Sequence, residues 1–306
     1  MSPLRISLFG RLRCVLGDRE IIGLDARRVQ ELLIFLLLHR QRPHSREALA
    51  TLLWGDRNGV QAKKYLRQTL WQLQSAMDGA GDGTPAALLR VTPDWIELNP
   101  NTSFWLDIDI FERAYMATRS IADGQLLPSQ QALLHQAINL YEGDLLEGWY
   151  QDWCIFERER FQSMFLAMAD KLVSYAECTG DYTMGVHYCE LTLRYDHARE
   201  RSHRRLMRLY YLAGNRTAAL RQYETCVVML HRELGVEPAQ STVALYEQIR
   251  RDDLALPATP LAHAVDAPTV DELYTQLKTL QDALSVLQGQ VNSCLSAIER
   301  TRRPIA

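Results

Sequence analysis

A cluster of basic side chains lies in VQAKKYLRQTLWQLQSAM, residues 60–77. Apolar residues recur there every three or four positions, which predicts an amphipathic helix with one buried stripe. The stripe consists of Leu66, Leu70, Leu73 and Met77. The other side of the helix carries Lys63, Lys64 and Arg67. Ammonium and guanidinium groups neutralise phosphates, so this surface is a candidate for binding nucleic acid.

Several side chains of the same helix could contact base edges. The guanidinium of Arg67 fits a guanine edge, and the amides of Gln68 and Gln72 carry the donor and acceptor that suit adenine. Trp71 could contact a thymine methyl group, pack on a sugar, or bind another protein. Basic residues on a solvated helix also arise by chance, so an ordinary amphipathic helix remains the alternative to a DNA-reading helix.

Two arginines outside this segment are weaker candidates for DNA contacts. Arg46 lies in the first turn of the preceding predicted helix, where it could meet phosphate together with the backbone N–H groups. Its alternative role is that of a solvated surface arginine. Arg90 lies on a predicted hairpin and could contact DNA there, although the turn VTPDW lacks a glycine-rich tip.

The distribution of charge is consistent with a local contact to nucleic acid. The formal net charge of the 306 residues is −3. Residues 1–78 nevertheless hold 13 Lys and Arg against 7 Asp and Glu, and the rest of the chain is correspondingly acidic. A basic N-terminal part on an acidic body is what such a contact requires.

Several classes of function find no support. The composition, 47% hydrophobic and 23% charged, is that of a soluble globular protein. The longest apolar run, residues 32–38, is too short to cross a bilayer, and no secretory signal is recognisable, so we expect a cytoplasmic protein without membrane contact. The six cysteines form no metal-ligand spacing, and no phosphate loop or nucleophile motif occurs. We expect no metal, no cofactor and no enzyme.

The order of elements in residues 1–100 predicts a winged helix-turn-helix. Short β-prone runs, ISLFG and RLRCVLG, come first, followed by helices over 27–40, REALATLLW and 60–77. Ser45 is a suitable N-cap for the second helix. LLRVTPDWIELN then has two strand-like runs around Pro93, which predicts a hairpin.

Residues 104–252 are predicted to form an all-α domain of tetratricopeptide type. Residues 169–196 can be aligned with 202–230 at a constant offset of 34, the period of that repeat. Gly180 aligns with Gly214 where one helix must reverse into the next, a position that often needs positive φ. Large aromatic residues here lie at helical core spacing, so we expect them to pack inside. They are Trp149, Tyr150, Trp153, Phe156, Tyr188 and Tyr211.

The C-terminal part is predicted to be a linker, residues 253–268, and a coiled-coil helix, residues 269–300. The linker lacks periodicity and is rich in proline and alanine. Apolar residues then alternate at spacings of four and three, which favours homo-oligomerisation, although a helix folded back onto its own chain is the alternative. The seam residues are Leu273, Leu277, Leu280, Leu284, Leu287, Val291, Cys294 and Ile298.

The chain resembles a known family over residues 4 to about 250. GDLLEGWYQDW (143–153), FERERF (156–161) and residues 219–249 look like the bacterial transcriptional activator domain of the Streptomyces antibiotic regulatory protein family. LRISLFGRLRCVLGDREI and HRQRPHSREALATLLWGD resemble the response-regulator-type winged helix of that family. WLDIDIFERA (105–114) is similar to the start of its activator domain.

The resemblance implies a transcriptional activator that binds double-stranded DNA and recruits RNA polymerase. The third helix would enter the major groove, and the hairpin would touch the neighbouring backbone. Helices of this type usually carry arginines where this chain has Trp71 and Gln72, which removes charge from the DNA-facing surface. The alternative is a protein-interaction adaptor or inhibitor whose winged helix no longer binds DNA strongly.

Overall fold

The computed structural model describes residues 4–78 and 88–254. The chain divides into two compact units, Met1–Leu254 and Ala255–Ala306. All described residues belong to the first unit. The predicted coiled-coil helix and the linker from residue 255 onward lie outside the described residues.

The described part is mainly helical, with small sheets near the N-terminus. Its strands are β1 (Leu4–Ser7), β2 (Arg13–Leu16), β3 (Arg19–Glu20), β4 (His44–Ser45), β5 (Leu89–Val91), β6 (Trp95–Leu98) and β7 (Trp105–Leu106). Its helices are α1 (Arg27–Leu38), α2 (Arg46–Trp54), α3 (Gly59–Asp78), α4 (Asp107–Thr118), α5 (Pro128–Leu140), α6 (Asp152–Thr179), α7 (Tyr182–Tyr195), α8 (Glu200–Leu212), α9 (Arg216–Leu234) and α10 (Gln240–Arg251). The predicted order of strands, three helices and a hairpin is confirmed.

The first sheet has the strand order β3-β2-β1-β7. β1 pairs antiparallel with β2 and parallel with β7, where Ile6 lies opposite Leu106. The strand β7 was not predicted, because two residues carry no measurable alternation and the segment continues directly into α4. Its pairing joins the start of the second half of the chain to the first strand.

The second sheet, β4-β6-β5, holds the hairpin against α2. The predicted hairpin is confirmed, with Arg90 opposite Glu97 across the two strands. The short strand β4, which sequence analysis missed, pairs with β6 and leads directly into α2. The Ser45 Oγ accepts the backbone N–H of Ala48 at 3.4 Å, so the predicted cap of α2 is confirmed. The hairpin is therefore fixed to the start of the second helix.

Two helix hairpins in the second half share the features that the 34-residue offset predicts. Gly180 follows α6 with φ of 76°, and Gly214 follows α8 with φ of 77°. The next helix is capped by a side-chain oxygen in both cases, from Asp181 for α7 and Asn215 for α9. A Cβ at Gly185 of α7 would lie 3.0 Å from the Leu209 methyls, so α7 and α8 pack closely there.

The two halves share one hydrophobic core, which runs across the predicted boundary near residue 100. The ring of Phe9, just after β1, lies 4.9 Å from that of Phe111 in α4 and 5.6 Å from that of Phe161 in α6. Backbone bonds extend the contact: Gly10 N–H donates to the Asp144 carbonyl at 2.9 Å. Aromatic packing and backbone pairing both fix the first half against the second.

Two of the aromatic residues expected to pack inside are instead exposed. Tyr150 is 76% exposed and Phe156 is 70% exposed, whereas Trp149 and Tyr188 are buried as expected. Tyr150 precedes α6 and so does not follow its periodicity. Phe156 lies about 140° around α6 from the buried Phe161, at 100° per residue, and therefore faces solvent.

Candidate nucleic-acid interface

The helix α3 is positioned by its cap and by its buried stripe. The Asn58 Oδ1 accepts the backbone N–H of Gln61 at 2.9 Å, which satisfies one free donor of the first turn. The predicted stripe is confirmed, since all of its members are buried against the core that α1 and α2 also form. The opposite surface is thereby turned to solvent.

Five of the predicted DNA-contacting side chains of α3 lie on that solvent face, and Gln72 is half-buried. Lys63, Lys64, Arg67 and Gln68 are exposed, and Trp71 is 68% exposed. The structure thus makes these groups accessible, with a large aromatic side chain in the middle of the helix. Such a surface combines phosphate-neutralising groups with hydrogen-bonding and apolar groups that could meet base edges.

One of the three basic groups already has a partner. The Lys63 Nζ lies 3.0 Å from the Glu47 Oε1 of α2, and both side chains are more than half exposed. Glu47 places a carboxylate beside the basic cluster. No ion pair joins Lys64 or Arg67 to another residue within 4–78 and 88–254. The accessible positive charge of α3 is therefore concentrated on these two.

Arg46 connects α2 to the hairpin. Its backbone N–H donates to the Asp94 carbonyl at 2.9 Å, and its Nη1 donates to the Thr92 carbonyl at 3.2 Å. Arg90 on β5 instead pairs with Glu97 across the hairpin, with 3.1 Å between Nη1 and Oε1. Both arginines therefore have a structural role that leaves only part of the guanidinium free.

An open groove of about 580 Å³ lies between the start of α2, the first half of α3 and the hairpin turn. It brings together Arg46, Lys63 and Arg67 of the predicted site, whereas Lys64, Gln68, Trp71 and Arg90 do not line it. The lining residues are Ser45, Arg46, Glu47, Val60, Lys63, Leu66, Arg67, Pro93 and Asp94. The groove shows that helix and hairpin form one concave surface.

Sequence analysis missed the acidic members of this surface and the exposed tryptophan of the hairpin. Glu47 and Asp94 line the groove, and Trp95 is 50% exposed on β6. Glu47 lies 16 residues before Lys63, so only the packing of α2 on α3 reveals the pair. The exposure of Trp95 could have been predicted from the sequence. Successive side chains of a strand point to opposite faces, so Trp95 faces away from the buried Ile96.

Other kinds of site are not evident in the described ranges. No group of three His, Cys, Asp or Glu side chains within them is arranged to hold a metal ion. No helix in this part of the chain is both long and apolar enough to span a membrane.

Comparisons with known proteins agree with this architecture. Residues 106–250 match the bacterial transcriptional activator domain. The regulatory protein AfsR of Streptomyces coelicolor is 24% identical over 266 residues, which cover 87% of this chain and 26% of AfsR. The chain thus spans about a quarter of that relative's length.

A solved structure has the same fold. Mycobacterium tuberculosis EmbR, solved in complex with a low affinity phosphopeptide, superposes with a TM-score of 0.65 at 24% identity and covers 89% of this chain and 71% of its own. The mainly helical architecture with small N-terminal sheets is common to both. Residues 106–250 therefore match the bacterial transcriptional activator domain, and the chain as a whole is similar in sequence to a Streptomyces regulatory protein and in fold to EmbR.

Proposed function

We propose that this chain is a DNA-binding transcriptional activator whose residues 1–100 form a winged helix-turn-helix. The observation that carries the proposal is the solvent face of α3, where Lys64, Arg67, Gln68 and Trp71 are exposed beside a hairpin fixed to α2. An α-helix fits the major groove, which is about 12 Å wide. The buried stripe anchors α3, so its basic face can dock without rearrangement.

Each part of the surface has a proposed role. Lys63, Lys64 and Arg67 bind phosphates, and Arg67 can also pair with a guanine edge. Gln68 and Trp71 contact bases farther along the helix. Arg46 contacts phosphate at the start of α2, and Arg90 does so from the hairpin. These two contacts are weaker, because each guanidinium is shared with an internal acceptor.

The activator domain supplies the protein contacts in this proposal. Residues 106–250 form a tetratricopeptide-like array of antiparallel helices that contacts RNA polymerase or another protein. The matching geometry of Gly180 and Gly214 supports this assignment. The coiled-coil helix predicted over residues 269–300 would join two copies, so that two modestly basic helices act on one DNA site.

A salt titration of DNA binding tests the central step. Binding of the full chain to a fluorescein-labelled random 25-base-pair duplex is followed by anisotropy for wild type and for Lys64→Ala/Arg67→Ala. Loss of two phosphate contacts should reduce the slope of log K against log salt by about 1.8 and weaken binding at least about tenfold at low salt. Arg194→Ala/Arg221→Ala is the control, because it removes the same charge from exposed positions on α7 and α9.

The adaptor hypothesis predicts a different result of the same titration. A chain that uses its N-terminal part only for protein contacts would bind the duplex weakly, and both double variants would behave like wild type. That result would contradict the proposed DNA-binding role.

A further inference from the structure

The activator domain contains a second basic surface, distant in sequence from α3. A shallow groove of about 670 Å³ is lined by residues of α6, α8 and α10. Four of its lining residues, Arg201, Arg204, Arg205 and Arg208, come from α8. Arg204 and Arg205 lie three and four residues after Arg201, and Arg208 lies four and three residues after them, so the four side chains share one face of the helix. The α10 side contributes apolar surface through Leu245, followed by Leu254.

The deepest arginine is part of the scaffold. The Arg205 side chain is 12% exposed, and its Nη2 lies 2.7 Å from the Glu177 Oε2 and 2.9 Å from the Ser174 Oγ. Near it, the Arg199 Nη2 lies 2.7 Å from the Asp170 Oδ2, and the Arg205 Nη1 lies 3.8 Å from the Asp170 Oδ1. The Glu177 and Asp170 carboxylates are therefore already bound by partly buried guanidinium groups.

The arginines at the rim are held much more loosely. The Arg201 side chain is 54% exposed and lies no closer than 3.6 Å to Asp170 and 3.8 Å to Asp123. The Arg204 Nη1 lies 3.8 Å from the Glu200 Oε1 and donates to the Thr242 Oγ1 at 3.3 Å, which leaves its other donors available. Arg208 is exposed and forms no ion pair with any residue of the described ranges. Only Asp123 and Glu177 are acidic among the lining residues, so the groove carries excess positive charge.

We propose that this groove binds an acidic peptide segment of a partner protein. Carboxylates of the peptide pair with the free guanidinium donors of Arg201, Arg204 and Arg208, and an apolar side chain packs on Leu245 and Leu254. Guanidinium and carboxylate groups match in charge and in bidentate geometry. Arg201 and Arg208 are seven helical residues apart, which separates the outer carboxylates by about 10 Å. The inference rests on the proposed protein-contact role of residues 106–250 and assigns that role to one surface.

Peptide binding to the full chain tests the assignment. The probe is a fluorescein-labelled nine-residue peptide of the repeat Glu-Glu-Leu, and the matched peptide has glutamine in place of glutamate. We expect the glutamine peptide to bind at least about tenfold more weakly. Arg201→Gln/Arg208→Gln should weaken binding of the acidic peptide to a similar degree, since each lost charge-assisted contact contributes severalfold. Arg194→Gln/Arg221→Gln should change it less than twofold.

Three results would overturn the proposal. These are equal affinity for the two peptides, an unchanged affinity in the groove variant, and an equal loss in the control variant. Both variants replace exposed side chains, so superimposable urea unfolding curves are expected and identify any loss due to misfolding.

Duplex binding by the same variants separates this proposal from the DNA-binding one. We expect Arg201→Gln/Arg208→Gln to bind the labelled duplex like wild type. Loss of duplex binding in that variant, without any peptide binding by wild type, would make the groove a nucleic-acid surface and overturn the peptide assignment. A chain that binds the acidic peptide and not the duplex would retain the groove assignment and contradict only the DNA-binding role.

Discussion

The proposed DNA-binding surface of α3 contains both signs of charge. Lys63 is paired with Glu47 at 3.0 Å, and the hairpin turn places Asp94 in the same groove. A carboxylate beside a phosphate-binding lysine lowers the attraction to DNA twice, by neutralising the lysine and by repelling phosphate. An exposed ion pair of this kind contributes little to folding stability. If α3 binds DNA as proposed, we therefore expect the main effect of this ion pair to be on DNA affinity.

Replacing Glu47 should strengthen DNA binding. In Glu47→Gln the Lys63 ammonium becomes free for phosphate, so we expect the duplex affinity at low salt to rise roughly three- to tenfold and the salt dependence to steepen by up to about 0.9. The labelled duplex titration measures both. Glu233→Gln, an exposed change in α9, is the control. Unchanged binding by Glu47→Gln would mean that Lys63 does not approach phosphate.

A buried carboxylate joins the two halves of the chain. Asp107, at the start of α4, accepts the backbone N–H groups of Leu8 and Phe9 at 2.6 and 3.0 Å and that of Ile108 at 2.7 Å. Burial raises the pKa of Asp107 to about 6, although these N–H donors act to lower it. At pH values between 3.8, the ordinary pKa of an aspartate, and about 6, the folded protein therefore binds more protons than the unfolded chain.

This shifted pKa predicts a pH dependence of stability. The contribution of Asp107 to the free energy of unfolding should be largest below pH 4 and fall by roughly 3 kcal/mol as the pH rises through 6. Asp107→Asn cannot titrate, so the difference between wild type and the variant isolates the effect. Urea unfolding from pH 4 to 7.5 measures it. A constant difference, or one that grows with pH, would contradict the raised pKa.

The turn between α5 and α6 is held by several side-chain and backbone hydrogen bonds. Arg158 of α6 donates to three of its carbonyl oxygens, those of Leu145 at 2.9 Å, Leu146 at 2.7 Å and Trp149 at 2.9 Å. Leu146 has φ of 53°, which is unfavourable for a residue with a Cβ and requires such support. The backbone of this turn also pairs with residues 8–10. The motifs GDLLEGW and FERERF therefore act together structurally.

Removal of the Arg158 guanidinium should destabilise the fold. Arg158→Gln leaves partly buried carbonyls without their charged donor, so we expect a loss of about 2–4 kcal/mol in the free energy of unfolding. Chemical denaturation of wild type and variant measures it. Arg113→Gln changes a side chain that is 72% exposed and should cost less than about 0.5 kcal/mol. Equal effects of the two substitutions would refute the bracing role of Arg158.

On the scale of the whole molecule, ion pairs join the N-terminal part of the chain to the helices of residues 106–250. Arg40, after α1, lies 3.0 Å from the Asp109 Oδ1 and also contacts Glu112 of α4. Glu112 in turn lies 2.8 Å from the Arg160 Nη1 of α6. The segment after α1 is thus joined by ion pairs to α4, and α4 to α6. If α3 binds DNA and residues 106–250 bind a partner, these contacts would help to set the position of that partner relative to α3.

Deletion of residues 255–306 should lower the affinity for DNA without changing the stability of the remaining fold. The unit Met1–Leu254 has its own core, so we expect its denaturation midpoint to match that of the full chain. If the predicted coiled coil joins two copies, the truncated chain should be monomeric by light scattering and should bind the labelled duplex at least about tenfold more weakly. Equal duplex affinity of the two chains would rule out avidity as the source of DNA binding.

Features that depend on nearby residues could be predicted from the sequence. The buried stripe of α3, the cap at Ser45 and the left-handed glycines Gly180 and Gly214 follow from periodicity and from the local geometry of helix ends. The candidate DNA-contacting residues of α3 were identified for the same reason, since a stripe of apolar residues defines the face that remains in solvent.

Features that depend on partners far apart in the chain required the folded structure. The pairing of β7 with β1, the burial of Asp107 beneath Leu8, and the neutralisation of Lys63 by Glu47 involve contacts between different elements. The arginines of α8 illustrate the point most directly. Their helical spacing is visible in the sequence, but packing against α6 and α10 makes Arg205 a mostly buried, paired arginine while Arg201 and Arg208 stay exposed with free donors. Because the free energy of a charge depends on its solvation and its neighbours, that division is a property of the tertiary structure.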